Sequence, residues 1–351
     1  MLVALVASGA SAALRDAVGA RSGGSGVLTT IVYVVVVSLM SAIVSLPFAF
    51  YQGVTLERRY GLSKQATARW WVDQVKAGCV GLVFVVSGAL LVSGLMRADP
   101  DRWWMLAAVG FAGILVLLVQ LAPLVLLPVF YDFKPLDRGD LVARLVRLAD
   151  RAGAGVMGVF EWRLGDKTRK GNAALTGIGQ TRRIIISDTI LAEHSDEEIE
   201  VILAHELAHH VHRDIWKGIA LETGLIALGF YLADRLLTAF AGSFGLTGKG
   251  DVAALPLLLL AAGAVSLALL PVANALSRAH ERSADRYALE MTRNAPAFVS
   301  AMKRLAAQNL AEERPSRLVQ MLFYTHPPVS ARIDAAQVWA DSHVRQSSER
   351  T

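Results

Sequence analysis

Five apolar stretches, each long enough to cross the roughly 30 Å hydrocarbon core of a bilayer, constrain this chain more than any other feature. They fall at 27–50, 78–96, 103–130, 215–240 and 252–276. Only helices and closed barrels satisfy their backbone polar groups in lipid, so stretches of this length predict a bundle of membrane helices. The composition agrees. Of 351 residues, 54% are hydrophobic and 19% charged, against about 25% charged in soluble domains. Length alone suggests about two soluble domains; the hydropathy instead implies a membrane bundle plus one polar domain.

The fourth stretch contains Glu222, Asp234 and Arg235, so part of it is expected to face protein or a water-filled cavity. Trp103 and Trp104 open the third, where an interfacial aromatic belt would put them. Residues 1–26 form an uncertain N-terminal segment: MLVALVA is too short to span, Arg15 and Asp16 interrupt the stretch after it, and the basic n-region of a signal peptide is missing. The segment reads as a degenerate or truncated first helix, or a loop.

Charge sets the orientation. The segment 51–77 carries Arg58, Arg59, Lys64, Arg69 and Lys76, whereas the other side receives Arg15, Arg21, Arg97, Arg102 and Lys249. The positive-inside rule therefore makes 51–77 a basic cytosolic loop within the membrane segment 27–130. Counting spans from there, 131–214 and 277–351 are both cytosolic and 215–276 holds two more membrane helices. A site assembled from the two polar segments is topologically allowed. The net charge of +5 comes with no Lys/Arg block, so no nucleic-acid partner is expected. The single cysteine, Cys79, excludes an intramolecular disulfide, and a cysteine-based metal site would need other ligand types. Arg outnumbers Lys, as expected of a GC-rich bacterial genome, which would put the protein in a bacterial plasma (inner) membrane.

Within the polar segments, GDLVARLVRLADRA at 139–152 sets Leu141, Leu145 and Leu148 on one helical face. Strand-like runs occur at 155–162 and 182–190, separated by GNAALTGIGQ at 171–180, whose glycines suit turns and close backbone approach. Ser195 and Glu198 form a capping-box pattern, so a helix is expected to begin there.

That helix carries ILAHELAHHVHRD, 202–214. At about 100° per residue, His205 and His209 lie about 40° apart and Glu206 about 100° from His205, so all three share one face. Two imidazoles at i and i+4 can hold one zinc ion, and the glutamate beside the first can take a proton from a water activated there. A third ligand is expected downstream in ALSRAHERSADRYALE, 275–290, where Glu281 and Asp285 share a helical face. Glu281 would ligate the metal, and Asp285 could accept the free ring N–H of a ligand histidine. His280 is a rival ligand pointing about 100° away from Glu281. His210 and His212 read as polar residues flanking the site, and His194 as a loop residue.

HELAH at 205–209, ERSAD at 281–285, RRIIISDTIL at 182–191, THPPVSARI at 325–333, ERRYGLSKQ at 57–65 and GNAALTG at 171–177 together resemble the integral-membrane zinc endopeptidases that include the type I CaaX prenyl protease. The resemblance covers residues 30–335. It implies a mainly α fold, a polytopic membrane helix bundle with a cytosolic, gluzincin-like zinc metalloprotease domain containing a small β-sheet. It also implies roles: His205, His209 and Glu281 bind one zinc ion per chain, Glu206 is the general base, and Asp285 supports a histidine ligand. His326 and Arg332 would face the tetrahedral intermediate and stabilise its oxyanion, and Asn172 would hydrogen-bond the substrate backbone in an edge-strand mode. Two features depart from that family's pattern. Its CaaX proteases have seven membrane helices where five are legible here, and an aromatic usually comes after the Asn-Ala pair where this chain has Ala174.

The function expected is metal-assisted hydrolysis of peptide bonds by an integral-membrane endopeptidase. Its partners would be a peptide or protein substrate, prenylated or membrane-associated, and the lipid bilayer. Within the same chemistry the rival is a broad-specificity quality-control protease of the HtpX type, which shares the zinc motifs but has fewer spans. A rival of another class is a non-catalytic metal-binding transporter or scaffold, with Glu222 and Asp234 on an ion path; it gains nothing from Glu206, and no inverted repeat is evident.

Overall fold

The computed structural model describes residues 1–348 apart from 178, 241 and 313. Ile178 of the predicted turn segment and the last three residues of the predicted 277–351 segment thus lie outside the described residues. The chain divides into two compact units. One comprises 1–59, 66–116 and 219–269, the other 60–65, 117–218 and 270–351.

The first unit is helical. Among the described residues, five helices are long and apolar enough to cross a membrane, the last three with part of their length in the second unit: Gly26–Arg59, Thr67–Ala98, Trp103–Phe130, Asp214–Ala239 and Val252–Thr292. Ile43, Val83, Val109 and Leu267 on these helices are 65–74% exposed, a distribution that suits lipid rather than water. Within 51–77 the first of these helices continues through a π-helical turn at Tyr51–Leu56 to Arg59, and the next begins at Thr67. Hydropathy marks where the apolar window ends. The helices go further because arginine and glutamine propagate a helix well.

Residues 1–26 form two short helices, Leu2–Ala7 and Ala10–Arg21, neither long enough to cross a bilayer. The second is fastened to its unit: the Ser11 hydroxyl donates to the Ala253 carbonyl at 2.7 Å and shares a hydrogen bond with the Tyr33 hydroxyl, while Arg15 pairs with Asp251. Trp103 packs inside its unit. It is fully buried and its Nε1 donates to Asp234 at 2.8 Å. Asp234 is also buried and is met by Lys249 at 2.8 Å and by Arg235. The buried carboxylate thus finds compensating donors, one of them the tryptophan ring N–H.

The second unit holds a four-stranded sheet of β1 (Phe133–Pro135), β2 (Val159–Trp162), β3 (Ala173–Thr176) and β4 (Arg183–Ser187) in the order β1-β2-β4-β3. β2 and β4 are parallel and the outer pairs antiparallel. β4 is covered on both faces, with Ile184 and Ile186 in the main core and Ile185 against Trp162 and Leu164. That explains a continuous Ile-Ile-Ile run in place of alternation. The predicted strands shrink to 159–162 and 183–187, because Ser187 caps a short helix, Asp188–Glu193. The segment whose glycines suit turns also contains an edge strand, β3.

The helix Gly139–Arg151 buries Leu141, Leu145 and Leu148 on its predicted face. The motif helix, Asp196–Val211, starts at a complete capping box: the Ser195 hydroxyl accepts from the Glu198 N–H, and the Glu198 carboxylate accepts from the Ser195 N–H at 2.9 Å. Ile199, Leu203 and Leu207 fix this helix in the core with Phe298 of the helix Ala295–Asn309. The fifth membrane helix and the ERSAD motif share one unbroken 38-residue helix, Leu255–Thr292.

Candidate metal centre

The polar face of the motif helix turns away from that core toward the C-terminal part of the long helix. Nε2 of His205 and Nε2 of His209 lie 3.3 Å apart. Glu281 reaches both, with Oε2 at 3.2 Å from the first and Oε1 at 3.4 Å from the second. Glu281 Oε2 is buried and makes no hydrogen bond. Three donors so spaced fit a metal ion: tetrahedral coordination with bonds of 2.0–2.1 Å sets neighbouring ligand atoms ~3.3 Å apart. Two neutral imidazoles and a carboxylate are also a donor set that divalent zinc accepts.

A second ring of groups aims the ligands. Asp285 Oδ1 lies 3.0 Å from Nδ1 of His205, and Asp214 Oδ2 lies 3.0 Å from Nδ1 of His209. Each carboxylate leaves the Nε2 of its histidine free for a metal. Arg332 grips Asp285 with Nε at 2.8 Å and a second N–H on the other oxygen, and its guanidinium approaches His205 Nδ1 at 3.4 Å. Asp214 is not apparent from sequence. Its only signal is an acidic residue five positions after the second histidine, and its reach depends on the turn at Arg213, whose left-handed backbone (φ 56°) ends the motif helix. Lys217 holds Asp214 at 2.8 Å. His280, the rival ligand, stands 4.0 Å from Asp214, behind the cluster.

Beside the three donors opens a cleft of about 430 Å³ whose walls include Asn172, Ala173, Glu206, His326 and Arg332. Glu206 is half-buried. Burial pushes its carboxyl up, with the neighbouring histidines opposing. His326 sits at the cleft mouth, Nε2 3.4 Å from Glu281 Oε1, with 60% of its side chain exposed. Asn172 precedes β3, its backbone N–H bonded to the Ser187 hydroxyl and its carbonyl accepting from the Ser187 N–H. The cluster concentrates negative charge. Without a metal ion, burial would lower the His205 imidazole, but the neighbouring Asp285 and Glu281 carboxylates prevail and raise it to about 9. The pocket thus draws a positive charge onto its ligands.

Known proteins resemble this chain. The model of peptidase family M48 matches residues 135–340, and that of the CAAX prenyl protease N-terminal region, described with five membrane helices, matches residues 1–132. A protein of Bacillus subtilis (strain 168) described as an uncharacterized metalloprotease, YhfN, is 32% identical over 92% of this chain and 76% of its own length. CAAX prenyl protease 1 of Saccharomyces cerevisiae is 26% identical over 89% of this chain and 72% of its own. The crystal structure of S. mikatae Ste24p has the same fold, with a TM-score of 0.83 at 24% identity over 89% of this chain and 76% of that one.

Fold, site and relatives thus define a multi-pass integral-membrane metalloendopeptidase. The chain belongs to peptidase family M48.

Proposed function

We propose that this protein is a zinc-dependent endopeptidase that cleaves membrane-associated polypeptides, with its metal domain on the cytosolic side of a bacterial inner membrane. The observation that carries the reading is the mutual spacing of the His205, His209 and Glu281 donor atoms at 3.2–3.4 Å, with Glu206 on the adjoining cleft wall. A zinc ion held by these residues would polarise the scissile carbonyl and acidify a water. Glu206 would take that water's proton and hand it to the leaving amine; burial raises its carboxyl and so favours its holding the proton between the two steps. His326 would add positive charge or a hydrogen bond at the developing oxyanion. The open edge of β3 offers backbone donors and acceptors to an extended peptide, and Asn172 lies at its start. Arg332 is read as serving the site through Asp285 as well as through its exposure to the cleft.

The names of the relatives support a CaaX-type substrate, a prenylated cysteine near a C-terminus, whereas Ala174 in place of an aromatic favours a broader specificity. Cleavage of matched peptides, one farnesylated and one bare, by the zinc-loaded protein separates the two, with Glu206→Gln as control. Selective cleavage of the farnesylated peptide supports CaaX processing; equal cleavage supports a general membrane endopeptidase. Zinc binding with cleavage of neither peptide would defeat the peptidase reading. A topology reporter fused after residue 351 tests the orientation, and a periplasmic signal would overturn it.

A further inference from the structure

The second unit carries another cavity, of about 630 Å³, separate in its polar lining from the metal cleft. One part of its wall is basic. Arg182, immediately before β4, and Arg213, just past the motif helix, both line it, with the imidazole of His210 and the amide of Gln120. No carboxylate lines it, and neither guanidinium makes an ion pair among the described residues. Arg213 occupies a left-handed backbone position (φ 56°) where glycine is the residue of least strain.

The rest of the wall is apolar and lies at the membrane boundary. Ile215 and Trp216 are 48% and 54% exposed and begin the fourth membrane helix. Gln120 belongs to the third membrane helix, near its C-terminal end. The cavity therefore opens where the ends of two membrane helices join the sheet and the motif helix of this unit, with an exposed tryptophan at the level such residues take in an interface. Unpaired arginines on one part and exposed apolar side chains on the other match a molecule with an anionic head and a hydrocarbon body. An acidic peptide would account for the arginines but not for the apolar rim.

We propose that this cavity binds the phosphate headgroup of an anionic phospholipid, with Arg182 and Arg213 on the phosphate and Ile215 and Trp216 against the upper acyl chains. His209 forms part of the same wall, so lipid occupancy borders the metal centre. Such a lipid site requires no particular substrate specificity of the peptidase.

The test is retention of phosphatidylglycerol against phosphatidylcholine by the full-length protein in detergent, measured by mass spectrometry of the bound lipid. Each basic side chain near an anionic lipid contributes about fivefold, so the two arginines together predict a preference of ~25-fold. The preference should fall as salt rises. It should drop about fivefold in Arg213→Gln, which removes an exposed charge while keeping an unbranched side chain at the turn, and vanish in the Arg182→Gln/Arg213→Gln double variant. The double lysine variant should restore most of it, and unchanged metal content would show that the variants are folded. Equal retention of the two lipids, or a preference that survives in folded double-glutamine protein, overturns the proposal. Displacement of the lipid by equimolar inorganic phosphate would make this a free-phosphate site, and displacement by an acidic peptide a substrate subsite; either also overturns it.

Discussion

Asp214 Oδ2 stands 3.0 Å from Nδ1 of His209, a carboxylate on the first turn of a membrane helix holding a histidine on the last turn of the motif helix. The bond fixes which ring nitrogen carries the proton and leaves Nε2 turned toward Glu281. Asp285 does the same for His205 from another helix.

Replacing Asp214 by alanine frees the His209 ring and should weaken metal binding by about 10–100-fold. Asparagine, which can still accept the hydrogen bond, should recover part of that loss. Chelator competition measures both. Affinity unchanged in the alanine variant would show that the Asp214 bond is not what orients the His209 ring.

Among the described residues Glu206 makes no hydrogen bond or ion pair with the three donors, and burial holds its carboxyl up. Glu206→Gln should therefore keep full metal stoichiometry while kcat falls by roughly 10²–10⁴. The variant preserves shape and removes only proton transfer. Wild-type turnover with metal bound would eliminate Glu206 as the base.

These two residues also show what can be read from a linear chain. His205, Glu206 and His209 are legible because the helical repeat alone puts them on one face, and Ser195 with Glu198 because a capping box is closed within four residues. Leu141, Leu145 and Leu148 obey the same local logic. Glu281 requires a second motif, matched by its chemistry to the first. Asp214 stays hidden because its contact depends on how the chain turns at Arg213. The Trp103–Asp234 bond escapes a local reading for a similar reason: its partners lie 131 positions apart. β3 does not stand out because four residues flanked by glycines carry too little pattern, and the strand exists only through pairing with β4.

Arg332 is expected from sequence to face the reacting peptide, and the geometry adds a forked grip on Asp285. If the fork matters, Arg332→Ala should loosen Asp285, then His205, and lower metal affinity about tenfold. Lysine should rescue this poorly because it cannot supply two parallel donors. Metal affinity equal to wild type together with a fall in kcat of ~10²–10³ would assign Arg332 to the oxyanion alone.

The metal-free site binds a proton where the loaded site binds metal. Burial would lower His205, but the Asp285 and Glu281 carboxylates raise it from 6.5 to about 9. A folded-state value above the unfolded one means that folding favours the protonated form. Its contribution to stability is complete below pH 6.5 and disappears as the pH rises through about 9. The Tm of the metal-free protein should therefore fall across that window. Zinc must displace the same proton, so binding at neutral pH should release it, and the Tm gain from a fixed zinc concentration should grow as the pH rises. Calorimetry in buffers of different ionisation enthalpy counts the released proton, and thermal scans track the stability. Zinc binding without proton release at neutral pH, with a flat metal-free Tm from pH 6.5 to 9, would mean that His205 is already neutral before the metal arrives.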